Sequence, residues 1–253
     1  MTSNTAGSSA VAANELFRRP RPLDRIAHRA LTIDRKAGFG FARGQIAIPL
    51  TVTEFAAAAR DYPIVFAGDP VQPFALLGLR DGHNLLVDAA GQWRKGRYVP
   101  AHLRRYPFIF METPDQQFVL CIDEAAEHFG AAAQRDPQPL FADDKPTPLV
   151  ADAMKFLAAF QSEYAATREF GAAVGQSGLL IERQAEVDLS GGGGHFSLGG
   201  FHIVDEEKLA ALADGTFLDW RKRNWLAPIY FHLQSLANFA LLTEWAGDET
   251  SAA

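Results

Sequence analysis

Residues 61–124 read DYPIVFAGDPVQPFALLGLRDGHNLLVDAAGQWRKGRYVPAHLRRYPFIFMETPDQQFVLCIDE. Short apolar runs (PIVFAG, FALLGL, NLLVDAAGQW, YPFIFM, QFVLCIDE) are separated by Gly, Pro, Asp and Asn. Runs of that length between turn formers read as strands. Leu79 to Asn84 forms a hairpin connection in which Asp81-Gly82 supplies positive φ, and Asp88 to Gly91 is a second turn of similar type. The block announces a compact fold and no reaction.

Upstream, ALTID and GQIAIPL are further short strands. Thr51 or Thr53 caps a short helix, TEFAAAARD, which Tyr62-Pro63 ends because the residue before proline avoids the helical region. Downstream, Asp136 to Pro148 carries four prolines and several acids and reads as a linker or loop. Leu149 to Arg168 has helical spacing, with Val150, Met154, Leu157, Phe160 and Tyr164 on or near one face. The run Gly191–Gly194 reads as a flexible connection between a helix and the strand HFSLGGFHIVD. Asp205 caps EEKLAALAD, Thr216 to Arg223 is helical, and Pro228 begins the last helix, APIYFHLQSLANFALLTEWA. The fold class is α+β: an N-terminal, mostly antiparallel region of short strands, followed by a mainly helical C-terminal half packed on it. Residues 1–19 read as a disordered tail and residues 20–247 as one domain, with the proline-rich loop inside it.

The 253 residues are 48% apolar and 21% charged, with a formal net charge of −6. That balance suits a globular protein and disfavours a general nucleic-acid binder, which needs a concentrated positive surface. Basic residues do cluster at 18–25 and 94–105, where pairing with the many acids is the plain expectation. The one cysteine, Cys121, rules out an intrachain disulfide and sits in an apolar run. No stretch is apolar long enough to span a bilayer. No secretory signal is apparent, so a cytoplasmic location is expected.

Chemical motifs are sparse. The glycine run lacks the register of a phosphate loop. The seven histidines form no H-x-H, H-x-x-H or H-E-x-x-H pair, so neither a metal nor a cofactor is expected. Ser197 and Ser177 do not sit in a nucleophile elbow. Two features remain. On the last helix His232, Ser235 and Asn238 recur every three residues as a polar stripe, which must meet the sheet, water or a ligand. In the central block Arg80, His83, Asn84, Trp93, Arg104 and Arg105 offer bidentate cations and an aromatic face. If a pocket exists, those six residues with His232 are expected to line it.

The words DYPIVFAG, ALLGLRDGHNLLVD, GQWRKGRYVPAHLRRYPFIF and LCIDE, then GGFHIVDEEKL and IYFHLQSLANFALL, resemble the bacterial SapC family from about Pro20 to about Leu242. The family takes its name from a protein linked to a paracrystalline surface layer. Many members are encoded near outer-membrane receptors and flavin-dependent halogenases, and the family offers no accepted catalytic residues. Its frequent label as a peptide-transport permease comes from an unrelated protein of the same name. The resemblance therefore implies a non-catalytic accessory protein that binds a small molecule, peptide or protein, tied to the cell surface or to uptake. A surface-layer component and an enzyme or accessory beside a halogenase are the alternatives.

Overall fold

The computed structural model describes residues 8–10, 16–130, 136–189 and 194–252. Three-residue strands open the chain: β1 (Ser8–Ala10), β2 (Pro20–Pro22), β3 (Thr32–Asp34) and β4 (Ala47–Pro49). The tail expected over residues 1–19 is packed at its end. Leu16 is buried, and the Arg18 and Arg19 amides both donate to Asp123 at 2.9 Å. The rest of that tail, apart from β1, lies outside the described residues. A 3-10 turn at Val52–Glu54 then leads into α1 (Phe55–Ala58). Glu54 accepts from the Thr51 N–H at 2.8 Å and from its hydroxyl at 2.9 Å, which fixes the helix start at Thr51.

β5 (Ile64–Ala67) and β6 (Gln72–Leu76) make an antiparallel hairpin. The next expected strand, NLLVDAAGQW, does not form. Only single bridges, Arg80 with His83 and Val87 with Trp93, mark the two turns there. The physical reason is Asn84. Its side chain donates to the Ala42 carbonyl and accepts from the Leu86 N–H, both at 2.9 Å, so side-chain bonds replace a ladder. The turns themselves are as read, with Gly82 at φ +71 and Gly91 at φ +77.

α2 (Ala101–Arg104) is followed by the hairpin of β7 (Phe108–Glu112) and β8 (Phe118–Asp123). The proline-rich segment is not a plain loop. It holds β9 (Pro137–Pro139), which pairs with β3, and β10 (Phe141–Ala142), which pairs with β11 (Lys145–Pro146). Proline suits these edge positions because it has no N–H to leave unpaired. Pro148 then starts α3 (Pro148–Gln176), a helix roughly 43 Å long at 1.5 Å per residue. β12 (Leu180–Leu189) and β13 (Gly194–Val204) follow as a long antiparallel pair. The glycine run therefore falls between two strands rather than between a helix and a strand, and Gly191–Gly193 lie outside the described residues. Asp205 accepts from Glu207 and Lys208 and caps α4 (Glu206–Ala210). α5 (Asp214–Lys222) comes next. The final helix is two, α6 (Leu226–Ser235) and α7 (Phe239–Ala252), joined by a 3-10 turn at Leu236–Asn238.

The main sheet has the order β1-β13-β5-β6-β4, with β12 also paired to β13. A second sheet has the order β2-β8-β7. Each has its own apolar cluster. Phe55, Tyr62, Phe66, Leu76, Phe170 and Phe201 belong to the larger one. Ile33, Phe108, Ile122, Leu140, Val150 and Leu157 belong to the smaller. α3 spans both: Val150 and Leu157 enter the smaller cluster, while Phe170 and Val174, further along the same helix, enter the larger. The architecture is α+β, with most short strands early and most helices late.

Candidate functional site

Where the first half of α3 passes the loop after β3 and the segment joining α2 to β7, the surfaces do not close. A cleft of about 500 Å³ remains. Three stretches line it: Ile33 to Phe41, Leu103 to Phe108, and Leu149 to Leu157, with His128 added from the turn after β8. Its walls are mostly apolar and aromatic. Phe41 stacks on Tyr106 with centroids 4.0 Å apart and planes at 18°. Phe39 leans on Phe41 at 6.0 Å and on Trp93 at 5.4 Å, and Phe156 comes from α3. Tyr106 is held from behind, its hydroxyl donating to Asp123 at 3.1 Å. Burial, with that acceptor beside it, raises the Tyr106 pKa, so it is a neutral wall.

The polar groups among these walls are mainly cationic. Arg104 is spent on structure, donating from Nε to the Val99 carbonyl at 3.0 Å and from Nη2 to the Tyr98 hydroxyl at 3.1 Å. Its guanidinium also lies over Phe156 at 5.2 Å. Arg105 differs. Its guanidinium lies over two rings, 4.8 Å from Phe160 and 5.2 Å from Phe17. It pairs with no carboxylate among the described residues. The nearest polar side chain is His102, 3.4 Å from Nη2, and burial beside that cation pushes the His102 pKa down to about 3. A neutral imidazole is a weak counterpart for a charge. The Arg105 Nε is shut off from water with no partner among the described residues. Burial lowers the pKa of Arg105 to about 10, which still leaves it charged at neutral pH.

His128 carries the second orphan. Its Nδ1 is buried without a partner among the described residues, and its ring meets Tyr106 at 5.2 Å and Phe41 at 5.5 Å. Burial holds its pKa near 4 against the opposing pull of Asp34. Asp34 itself is buried at the cleft edge, its Oδ1 accepting from the Lys36 N–H at 2.9 Å and the Asp136 N–H at 3.2 Å. Arg35 and Asp152 complete the polar lining, and Asp152 is exposed and 3.6 Å from Lys155.

Of the seven residues singled out in the sequence, the structure brings Arg104 and Arg105 to this cleft. The other five are elsewhere. Arg80 and His83 face each other across a tight turn. Asn84 is buried and spends its amide on the backbone. Trp93 donates to the Tyr98 carbonyl at 3.1 Å and reaches the cleft only by supporting Phe39. His232 is fully buried. It donates through Nδ1 to the Ile64 carbonyl at 2.7 Å and accepts at Nε2 from the Val204 N–H at 3.0 Å. Both nitrogens are occupied, so His232 fastens α6 to β5 and β13 and has no valence left for a ligand. The polar stripe of the last helix thus meets the sheet through His232 and Ser235 and the turn after α1 through Asn238. Ser235 accepts from the Ile64 N–H at 2.9 Å, and Asn238 donates to the carbonyls of Ala59 at 2.7 Å and Tyr62 at 3.1 Å.

Sequence reasoning missed Phe39, Phe41, His128 and Phe156. Leu149, Ala153 and Phe156 repeat at helical spacing beside the core face of α3, a signal available in the sequence. His128 had none. Among the described residues, no group of three or more His, Cys, Asp or Glu is arranged to hold a metal ion, and no helix is long and apolar enough to cross a membrane.

The fold and cleft thus describe an α+β protein with an aromatic, cation-bearing recess beside its longest helix. The SapC family model matches residues 23–242, and the chain belongs to that family. No curated protein and no solved structure matches it.

Proposed function

We propose that the chain is a binding protein, with the cleft beside α3 as the seat of a small organic molecule. The observation that carries this reading is the recess itself, about 500 Å³ lined by Phe39, Phe41, Tyr106 and Phe156 with Arg35, Arg104, Arg105 and His128 among its polar residues. Ligand sites are recesses of this size, mostly apolar, with a few polar groups that fix orientation.

A non-catalytic role is favoured by how two buried carboxylates outside the cleft lining are used. Glu54 accepts four hydrogen bonds, from the Thr51 N–H and hydroxyl, the Tyr98 hydroxyl and the Ala101 N–H. Asp123 also accepts four, from the amides of Arg18, Arg19 and Ala125 and the Tyr106 hydroxyl. Burial alone would raise the Asp123 pKa, but those donors hold it below the usual carboxylate range. A carboxylate held that way is a poor proton shuttle. Cys121 lies buried on β8 with its thiol pKa raised by burial, the opposite of a nucleophile's need. These features support reading the chain as an accessory protein with the cleft as its binding site.

The test is displacement of anilinonaphthalene sulfonate, a dye that brightens in apolar recesses. The wild type is expected to enhance its fluorescence. Ala153→Trp, which places an indole in the cleft, should abolish most of that signal while leaving the circular dichroism unchanged. Equal enhancement by both proteins would place the dye elsewhere and remove the reading.

A further inference from the structure

Resting on the binding role just proposed, we infer that the occupant is a monoanionic aromatic carboxylate, its ring seated among Phe39, Phe41 and Phe156 and its carboxylate held by Arg105. Three observations converge on that class. The first is charge. Arg35, Arg104 and Arg105 line the cleft against Asp34 and Asp152, and Asp152 already lies beside Lys155. The recess keeps a positive balance, and Arg105, half-buried, lacks a carboxylate partner among the described residues. A charge in that position is stabilised by a counter-ion brought from outside.

The second observation is shape. The Arg105 guanidinium lies over two rings, 5.2 Å from Phe17 and 4.8 Å from Phe160. A stacked guanidinium loses little freedom on binding, and its Nη groups, rather than the solvent-inaccessible Nε, are the donors left for a carboxylate. The third is the lining. Phe39, Phe41 and Phe156 offer π faces, and offset stacking with a flat ring adds to what burial of its area contributes.

The same features argue against a phosphate ester. Arg104 has its Nε and Nη2 committed to Val99 and Tyr98, which leaves Arg105 inside and Arg35 as the further cation. Asp34 and Asp152 on the lining would repel a dianion more than a monoanion.

Isothermal titration with four probes decides the matter: naphthoate, naphthamide, octanoate and naphthyl phosphate, against the wild type, Arg105→Gln and Arg105→Lys. The wild type is expected to bind naphthoate about tenfold or more tighter than naphthamide, the ratio expected of one charge-assisted bond. Naphthoate should also outbind octanoate and naphthyl phosphate. Arg105→Gln should lose the preference for naphthoate over naphthamide while still binding the amide, and Arg105→Lys should retain part of it. Should Arg105→Gln fail to fold by circular dichroism, the wild-type probe series and Arg105→Lys carry the decision. Equal affinity of the wild type for naphthoate and naphthamide overturns the carboxylate assignment and leaves the cleft as a neutral apolar site. A preference for naphthyl phosphate, or for octanoate, overturns it in favour of that class. Failure of every probe to bind or to displace the dye overturns the binding role along with it.

Discussion

His232 shows what a single buried polar residue does here. Its ring joins the Ile64 carbonyl to the Val204 amide across two strands that meet only at one residue pair, His202 with Phe66. His232→Ala leaves both backbone groups unpaired in a dry interior, and at about 1–3 kcal/mol each plus the cavity we expect a loss of about 3–5 kcal/mol in denaturant unfolding. A loss under about 1 kcal/mol would mean water replaces the ring. Burial depresses three folded histidine pKa values, to about 4 for His232 and His128 and about 3 for His102. An unfolded histidine takes up its proton near pH 6.5. Between those values the unfolded chain binds more protons, so folding stability is full above about pH 6.5 and declines as pH falls toward about 4. Urea midpoints measured across that window should fall, and the His232→Ala protein should show a shallower slope than the wild type. A flat profile would contradict the buried, neutral assignment.

At the level of elements, two junctions set the geometry on which the cleft depends. Glu54 ties the start of α1 to the start of α2, accepting from Tyr98 Oη at 2.9 Å and from the Ala101 N–H at 2.6 Å while still capping at Thr51. Glu54→Gln turns an amide toward donors that need an acceptor, and a loss of about 2–4 kcal/mol is expected by thermal or chemical unfolding. α3 is set against the β5–β6 hairpin by Gly171, where a Cβ would come 2.3 Å from the Val71 carbonyl oxygen. Alanine is the better helix former by about 1 kcal/mol, but backbone cannot yield as a side chain does. Gly171→Ala should therefore destabilise by about 1–3 kcal/mol. Gly175→Ala, whose Cβ meets only the Val71 side chain at 3.0 Å, should cost less. Equal costs would mean the helix slides freely. The hairpin turns, the capped helix starts and α3 were legible in the sequence because each is written locally, in a proline, a glycine at positive φ or a repeat of apolar residues. β9 and β12 were not, since a strand of prolines, or one rich in Glu and Arg, forms only because a partner strand is waiting for it.

On the scale of the whole molecule, the sequence and the structure part company over what dense polarity means. The block at residues 80–105 is crowded with Arg, His, Asn and Trp, and the sequence alone cannot say whether such residues face a ligand or the backbone. Asn84 and Trp93 turn to the backbone, Asp61 holds Arg97 at 3.0 Å and the Tyr98 amide at 2.8 Å, and Arg94 and Arg97 lie over Trp245 of α7. The cleft instead gathers residues from positions 33–41, 103–108, 128 and 149–157, whose meeting is a product of tertiary packing. Arg104 and Arg105 belong to both sets, which is why the sequence reached the site at one end only. Hydrogen–deuterium exchange of the full chain, with and without saturating naphthoate, tests the central claim most directly. We expect slowed exchange confined to residues 33–41, 101–108, 126–129 and the first half of α3. Protection centred on residues 79–97 or on α6, or none anywhere, would contradict it.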